Sequence, residues 1–168
     1  SLNSKNTKFS CVRFGNIAWS TGSVFPIWEK MTKKNKLVKT TGYNMRRFFF
    51  SIKEATDLVL TCLENPKIVE GKILSLKMKS AKIGDILNIW SKKFNVPWKK
   101  INSRKGDKVE EFLIGENEYP STIEIKIKTK KYFLIDFYQK HKKNIGRTYS
   151  TINSDVLTEK EILKLINK

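Results

Sequence analysis

The spacing of apolar residues divides this chain into alternating strand-like and helix-like segments. Residues 9–14 form a mostly apolar run that ends at Gly15, which predicts a short buried strand. From Ser23 onward, Val24, Ile27, Trp28 and Met31 fall at i, i+3, i+4 and i+7, the stripe of an amphipathic helix that Ser23 is placed to cap. A lysine-rich stretch follows, and Gly42-Tyr43-Asn44 signals a turn. Ser51 and Glu54 have the spacing of a capping box, and Ala55, Leu58, Val59, Cys62 and Leu63 then mark one helical face that Asn65-Pro66 stops. Residues 71–76 read as a strand, residues from Ser80 as a helix with Ile83, Ile86, Leu87, Trp90 and Phe94 on one side, and residues 97–101 as a short strand leading to Arg104.

Toward the end, Ile123, Ile125 and Ile127 alternate with Glu124, Lys126 and Lys128, the period of two that a half-buried strand shows. Residues 132–138 fit a second strand or a short helix. Thr158 and Glu161 make another capping box, with Ile162, Leu163 and Ile166 facing inward. Strands interleaved with helices imply an α/β or α+β arrangement rather than a helical bundle.

Composition changes this picture in three ways. With 168 residues and 39% hydrophobic content the chain can bury a core of its own. No apolar run approaches the ~20 residues of a membrane span, and no charged segment followed by an apolar stretch marks a secretory leader at Ser1. Cys11 and Cys62 sit in apolar surroundings, which predicts two buried thiols and a reducing, cytoplasmic setting; with the single His141 they cannot assemble the usual four-ligand zinc site, so no metal is expected. The formal charge of +18 taken alone favours nucleic acid or an anionic membrane surface. That excess is almost all lysine, with arginine only at 13, 46, 47, 104 and 147, which disfavours a reader of bases or phosphates and fits a solvated surface. His141, in a strongly polar run, is expected at the surface. Trp28 and Trp90 fall on apolar stripes and are expected in the core, whereas Trp19 lies in a loop where it is free to stack on a ligand.

Three segments suit a nucleotide diphosphate. The first is the strand ending at Gly15-Asn16 followed by Gly22-Ser23 opening a helix, because ligands of open α/β sheets bind beyond strand ends and a helix start offers free N–H groups. The second is Arg46-Arg47-Phe48, where a guanidinium beside rings can pair with phosphate. The third is Arg104-Lys105-Gly106-Asp107-Lys108 with Glu110 and Glu111, in which glycine permits close backbone approach, arginine clamps phosphate and a carboxylate accepts from ribose hydroxyls. Read singly, each is equally well an ordinary capped helix, an exposed arginine pair or a charged turn.

Taken in order, these segments resemble the C-terminal half of the NAD(P)-dependent nucleotide-sugar 4,6-dehydratases and epimerases of the extended short-chain dehydrogenase/reductase superfamily, in the polysaccharide biosynthesis branch. Ile83-Gly84-Asp85-Ile86 and Tyr149-Ser150-Thr151 before the terminal helix add to the likeness. The resemblance implies the substrate-binding portion of a Rossmann-like α/β fold, mixed in strands and helices and lacking the N-terminal dinucleotide-binding half. Residues 1–168 are then one partial domain, best matched over 1–118, with an undiagnostic insertion or variable region at 119–148 and a terminal helix segment at 149–168.

Residue by residue, the resemblance implies that Asn16 contacts the nucleotide-sugar while Ser23, Val24 and Pro26 line the base pocket. Arg47 matches the diphosphate arginine of a Met-Thr-Arg-Phe pattern in which Arg46 replaces threonine. Arg104, Gly106, Lys108 and the later Glu111 match Arg-Pro-Gly-Glu-Lys-Leu and its following glutamate. Asp107 stands there for glutamate, one methylene shorter, and Lys105 for proline, which loosens the loop. Arg47 and Arg104 would neutralise the diphosphate, and Asp107 with Glu111 would hold the ribose.

The implied parent uses NAD or NADP, takes a UDP-sugar, feeds surface polysaccharide synthesis in the cytoplasm and is a homo-oligomer. Its chemistry requires a glycine-rich dinucleotide loop and a tyrosine-lysine pair three residues apart. The glycine-rich loop is not in this sequence, and Tyr132, Tyr138 and Lys140 lie far after the Asn16 strand rather than before it, so no catalytic residue is assigned and the missing half is an implied partner. Two other classes stay open on sequence: a basic module for nucleic acid or another polyanion, and an inactive fragment that associates through an exposed apolar face.

Overall fold

The computed structural model describes residues 6–102 and 106–167. In chain order the elements are β1 (Cys11–Arg13), β2 (Asn16–Ile17), α1 (Val24–Asn35), β3 (Val38–Thr40), β4 (Arg46–Phe50), α2 (Ile52–Glu64), α3 (Pro66–Val69), β5 (Ile73–Leu76), β6 (Ser80–Lys82), α4 (Ile83–Phe94), β7 (Trp98–Lys100), β8 (Phe112–Ile114), β9 (Thr122–Ile127), β10 (Lys130–Ile135), β11 (Tyr149–Ser150) and α5 (Glu159–Ile166). The mixed α/β class expected from the sequence is the one observed. The chain weaves between two compact units, one formed by residues up to 14, 53–77 and 112–150, the other by residues 15–52, 78–111 and 151 onward.

The first unit is built on a four-stranded sheet in the order β1-β5-β10-β9. β1 runs parallel to β5, while β10 is antiparallel to both β5 and β9. The β9–β10 hairpin realises the alternating isoleucines, and residues 130–135 are a strand rather than a helix. α2 lays Leu58 and Cys62 on a cluster with Val69, Leu74, Tyr132 and Leu134. Its buried stripe is narrower than the sequence predicts, since Val59 and Leu63 are exposed. The expectation for β1 is corrected further: Phe9 and Phe14 are exposed, and Cys11 is an exposed thiol, so only Cys62 is buried. His141 is half-buried rather than fully exposed, its N–H donating to the Pro120 carbonyl at 3.0 Å.

β8 and β11 form a second, antiparallel ribbon in this unit. Arg13 ties β1 to the turn after β8, reaching both Glu118 carboxylate oxygens at 2.6 and 2.8 Å and the Leu113 carbonyl at 2.7 Å. This bidentate charge-assisted pair holds the Glu118 carboxyl below its usual range, helped by the Gly115 N–H and opposed by burial.

The second unit centres on β4, which is parallel to β2 and antiparallel to β6, with β3 and β7 as a separate parallel pair. α1, α4 and α5 contribute to a core rich in rings: Phe25, Trp28, Phe49 and Trp90 together with Ile83, Ile86, Leu87, Ile162 and Ile166. Phe25 stacks on Trp90 at 6.1 Å, and the Trp90 indole N–H donates to the Thr32 hydroxyl at 3.1 Å, so α1 and α4 meet through aromatic faces.

Phe25, not Ile27, is the buried α1 residue beside Trp28, because α4 lies against that side. Leu165 joins Ile162 and Ile166 inward where Leu163 was expected. The helix expected from Ser80 begins only at Ile83, because residues 80–82 pair with 46–48 as a strand and the Ser80 hydroxyl donates to the Thr151 carbonyl at 2.9 Å. Gly84 is required at this helix start, where a Cβ would lie 2.8 Å from the Tyr43 ring.

The capping box at Thr158 forms as expected, with Glu161 closing it. Lys79 and then the Thr158 N–H pull the Glu161 carboxyl down to about 2.

Candidate functional site

Every described residue that the sequence singled out for substrate lies in the second unit. Asn16 opens β2 immediately after Gly15, where a Cβ would meet Met78 Sδ and Phe48 Cβ at 2.9 Å; only glycine lets the chain pass this close to β4. The close approach puts the Asn16 amide against β4, donating to the Phe48 carbonyl at 3.0 Å and to Glu111 Oε2 at 3.3 Å.

Arg47, in β4, points toward the same carboxylate, with its Nε 3.0 Å from Glu111 Oε1. The rest of its fork reaches backbone: Nη2 donates to the Lys108 carbonyl at 2.8 Å, and Nη1 donates to the Arg46 carbonyl at 2.8 Å and, at 3.5 Å, to the Val109 carbonyl. Arg46 contributes through its main chain, its N–H donating to the Val109 carbonyl at 2.8 Å. The far end of the loop is tied at Glu111, whose N–H donates to the Thr151 hydroxyl and whose carbonyl accepts from the Thr151 N–H.

Asn16 and Arg47 therefore converge on Glu111, at the end of the segment 106–111 that Gly106 leads at φ 91°, a value that favours glycine. Asp107 is exposed on that loop, and Arg104 and Lys105 lie outside the described residues. Ser23, Val24 and Pro26 sit at the start of α1 as expected, Pro26 within the first turn where its missing N–H costs nothing. Ser23 occupies the N-cap position without capping: its hydroxyl is buried and makes no hydrogen bond. Trp19, expected free to stack on a ligand, is held by its own unit, its indole N–H donating to the Leu165 carbonyl at 2.8 Å and its ring stacked on Phe25 at 5.6 Å.

The arrangement gathers one amide, one guanidinium and one carboxylate around a glycine-led loop, groups that can recognise hydroxyls and anions. Sequence reasoning missed the backbone acceptors at Phe48, Lys108 and Val109 and the anchoring role of Thr151. Nothing local marks them, since Thr151 lies 40 positions from its partner. No group of three or more His, Cys, Asp or Glu placed to hold a metal occurs among the described residues. In the first unit a hollow of about 220 Å³ is lined by Asp57, Thr61, Glu64, Lys128 and Tyr132 among others, but its carboxylates already pair with Lys53, Lys128 and Lys130.

A fold of this class is already seen in a solved structure, Pen from Bacillus thuringiensis, which matches 99% of this chain and 50% of its own at a TM-score of 0.84 and 27% identity. The chain belongs to the polysaccharide biosynthesis protein family of the short-chain dehydrogenase/reductase type, whose family model matches residues 1–134. Among curated relatives, a UDP-N-acetylglucosamine 4,6-dehydratase (inverting) of Campylobacter jejuni is 30% identical across 97% of this chain and 52% of its own length. An uncharacterised membrane protein of Methanocaldococcus jannaschii is 30% identical across 98% of this chain and 50% of its own. The chain thus spans about half the length of the curated relatives it matches. No helix among the described residues is long and apolar enough to cross a membrane.

Proposed function

We propose that this chain is the substrate-binding half of a nucleotide-sugar 4,6-dehydratase for a UDP-N-acetylhexosamine, acting in surface polysaccharide biosynthesis in the cytoplasm. The observation that carries the reading is the convergence of Asn16 and Arg47 on Glu111 of the glycine-led 106–111 loop within one unit. A UDP-sugar presents a diphosphate, a ribose diol and a base. Arg47 and Arg104 neutralise the first, Asp107 and Glu111 accept from the second, and Asn16 with Ser23, Val24 and Pro26 positions the nucleotide. Glu111 sets the plane of the Arg47 guanidinium through Nε, and the long Nη1 contact to Val109 is the one a phosphate oxygen replaces at least cost. The Ser23 hydroxyl, buried without a partner, gains one when the base is seated.

The inverting description of the Campylobacter relative supports C5 epimerisation as part of the same reaction. β1 leads into Gly15 and β2 rather than into a glycine-rich loop opening a helix, so these residues do not fit a dinucleotide. NAD or NADP and the tyrosine-lysine pair are assigned to the parent's other half, in the same or a separate chain of a homo-oligomer. The basic-module and inactive-fragment readings are not favoured by the family assignment.

Calorimetric titration with UDP-N-acetylglucosamine, alone and with a separately produced N-terminal half of a related enzyme, tests the proposal. Binding in either arm, weakened at least about tenfold by Arg104→Glu, is expected for a charge-assisted phosphate contact. No binding in both arms, or affinity unchanged by Arg104→Glu and Arg47→Lys, overturns it.

A further inference from the structure

The second unit carries a lysine-rich surface around the β3–β7 pair and the ends of the helices that lead into it. Residues 29–39 hold Lys30, Lys33, Lys34, Lys36 and Lys39 against one carboxylate, Glu29, and residues 92–100 hold Lys92, Lys93, Lys99 and Lys100 against none. These two stretches are 53 positions apart at their nearest but adjacent in the fold. α1 meets α4 through Trp28, Trp90 and Thr32, and each helix then runs into a strand of the β3–β7 pair. In that pair Lys39 lies directly opposite Lys99.

All nine lysines are exposed. Glu29 takes Lys33, and Lys93 reaches the Asn167 side chain; the other seven have no carboxylate partner among the described residues. Adjacent like charges across a strand pair oppose folding, and helix C-termini account for lysines in the last turns of α1 and α4 but not for Lys39, Lys99 and Lys100. The α1 part of this surface lies at the opposite end of the helix from Ser23 to Pro26, where the base is proposed to sit.

We infer that this face attaches the protein to an anionic lipid surface. Lysine without arginine suits a diffuse field of headgroups better than forked recognition of individual phosphates. Phe94 and Ile101, both 40% exposed beside these lysines, supply apolar side chains of the kind that enter the headgroup layer. Single-stranded nucleic acid is the weaker occupant, because Trp98 is already stacked on Tyr43 at 4.9 Å and is not presented as an open platform for bases.

Co-sedimentation of the full chain with phosphatidylcholine vesicles, with and without about one third phosphatidylglycerol, tests this at low and moderate salt. Binding confined to the anionic vesicles and weakening with salt is expected. It should fall about tenfold in K39E/K99E and in the milder K34Q/K92Q, while K142E/K143E, an equal charge change in the first unit, retains it. Circular dichroism confirms that each variant folds. No binding to anionic vesicles overturns the inference, as does equal loss in K142E/K143E, which would indicate net charge alone. Tighter binding to an oligonucleotide that strips the protein from vesicles also overturns it, in favour of nucleic acid. Nucleotide-sugar titration of K39E/K99E keeps this outcome separate from that of the site, since its affinity should be unchanged.

Discussion

The two units treat the same excess of lysine in opposite ways. In the first, Lys8, Lys53, Lys72, Lys77, Lys128, Lys130 and Lys131 each lie within 4.0 Å of a carboxylate, and Asp57 and Glu124 each serve two of them. In the second, the lysines around β3 and β7 stand beside one another. A mere bias of composition would spread lysine without regard to acids. These seven ion pairs of the first unit surround an aliphatic core under α2, whereas the second unit has a core of stacked rings and gathers lysines without a carboxylate partner among the described residues around β3 and β7.

The sharpest way to break this comparison is to remove a ring. Trp90→Ala should cost about 4 kcal/mol in denaturant unfolding, since Trp90 is 1% exposed and touches Phe25, Trp28 and Phe94. A cost below about 1 kcal/mol would show that the rings do not hold the second unit.

In the first unit the corresponding test is electrostatic. Arg13→Ala should cost about 2 kcal/mol, less than a fully buried pair because the partners' side chains are 27% and 20% exposed. Because the folded Glu118 carboxyl titrates below its unfolded value, the pair's stabilisation is fully present above the ordinary carboxylate range and disappears as pH falls through the lowered value. The wild-type and Arg13→Ala melting curves should therefore converge in acid and separate toward neutrality.

Gly15→Ala probes the close approach behind Asn16 and should cost about 2 kcal/mol, because backbone and ring-bearing Cβ atoms of Phe48 must give way. Thr158→Ala should cost about 1 kcal/mol through loss of the α5 cap. The Glu161 contribution that depends on the same box is complete above its usual 4.5 and fades only as pH falls toward about 2. The smallest effect separates the units most directly. Lys99→Thr should raise stability by a few tenths of a kcal/mol, more at low salt, by relieving Lys39, whereas Lys77→Ala should lower it by a similar amount through loss of Glu124.

Signals contained within one or two turns of chain were legible. The Thr158-Glu161 box, the alternating isoleucines of β9, the stop at Asn65-Pro66 and the burial of Trp28 and Trp90 all needed only neighbours in sequence. The ordered segments around Asn16, Arg47 and Gly106 likewise carried the family, although Arg104 lies outside the described residues. What failed depended on a distant partner. Residues 80–82 carry a helix-like pattern yet form a strand, because β4 and Thr151 offer hydrogen bonds there. Ile27 and Phe25 fit the α1 stripe about equally, and only α4 decides which is buried. Cys11 reads as a buried thiol but lies exposed on β1.

By itself, then, the sequence determined the α/β alternation, the cap of α5 and the family, because propensity, capping and periodicity act over a few residues. Tertiary structure alone decided that Glu111 takes Arg47 and Asn16, that Trp19 is bound into its own core, and that two lysine runs more than fifty positions apart share one strand pair. Partnership between side chains far apart in sequence is set by how elements pack, and no local pattern encodes that packing.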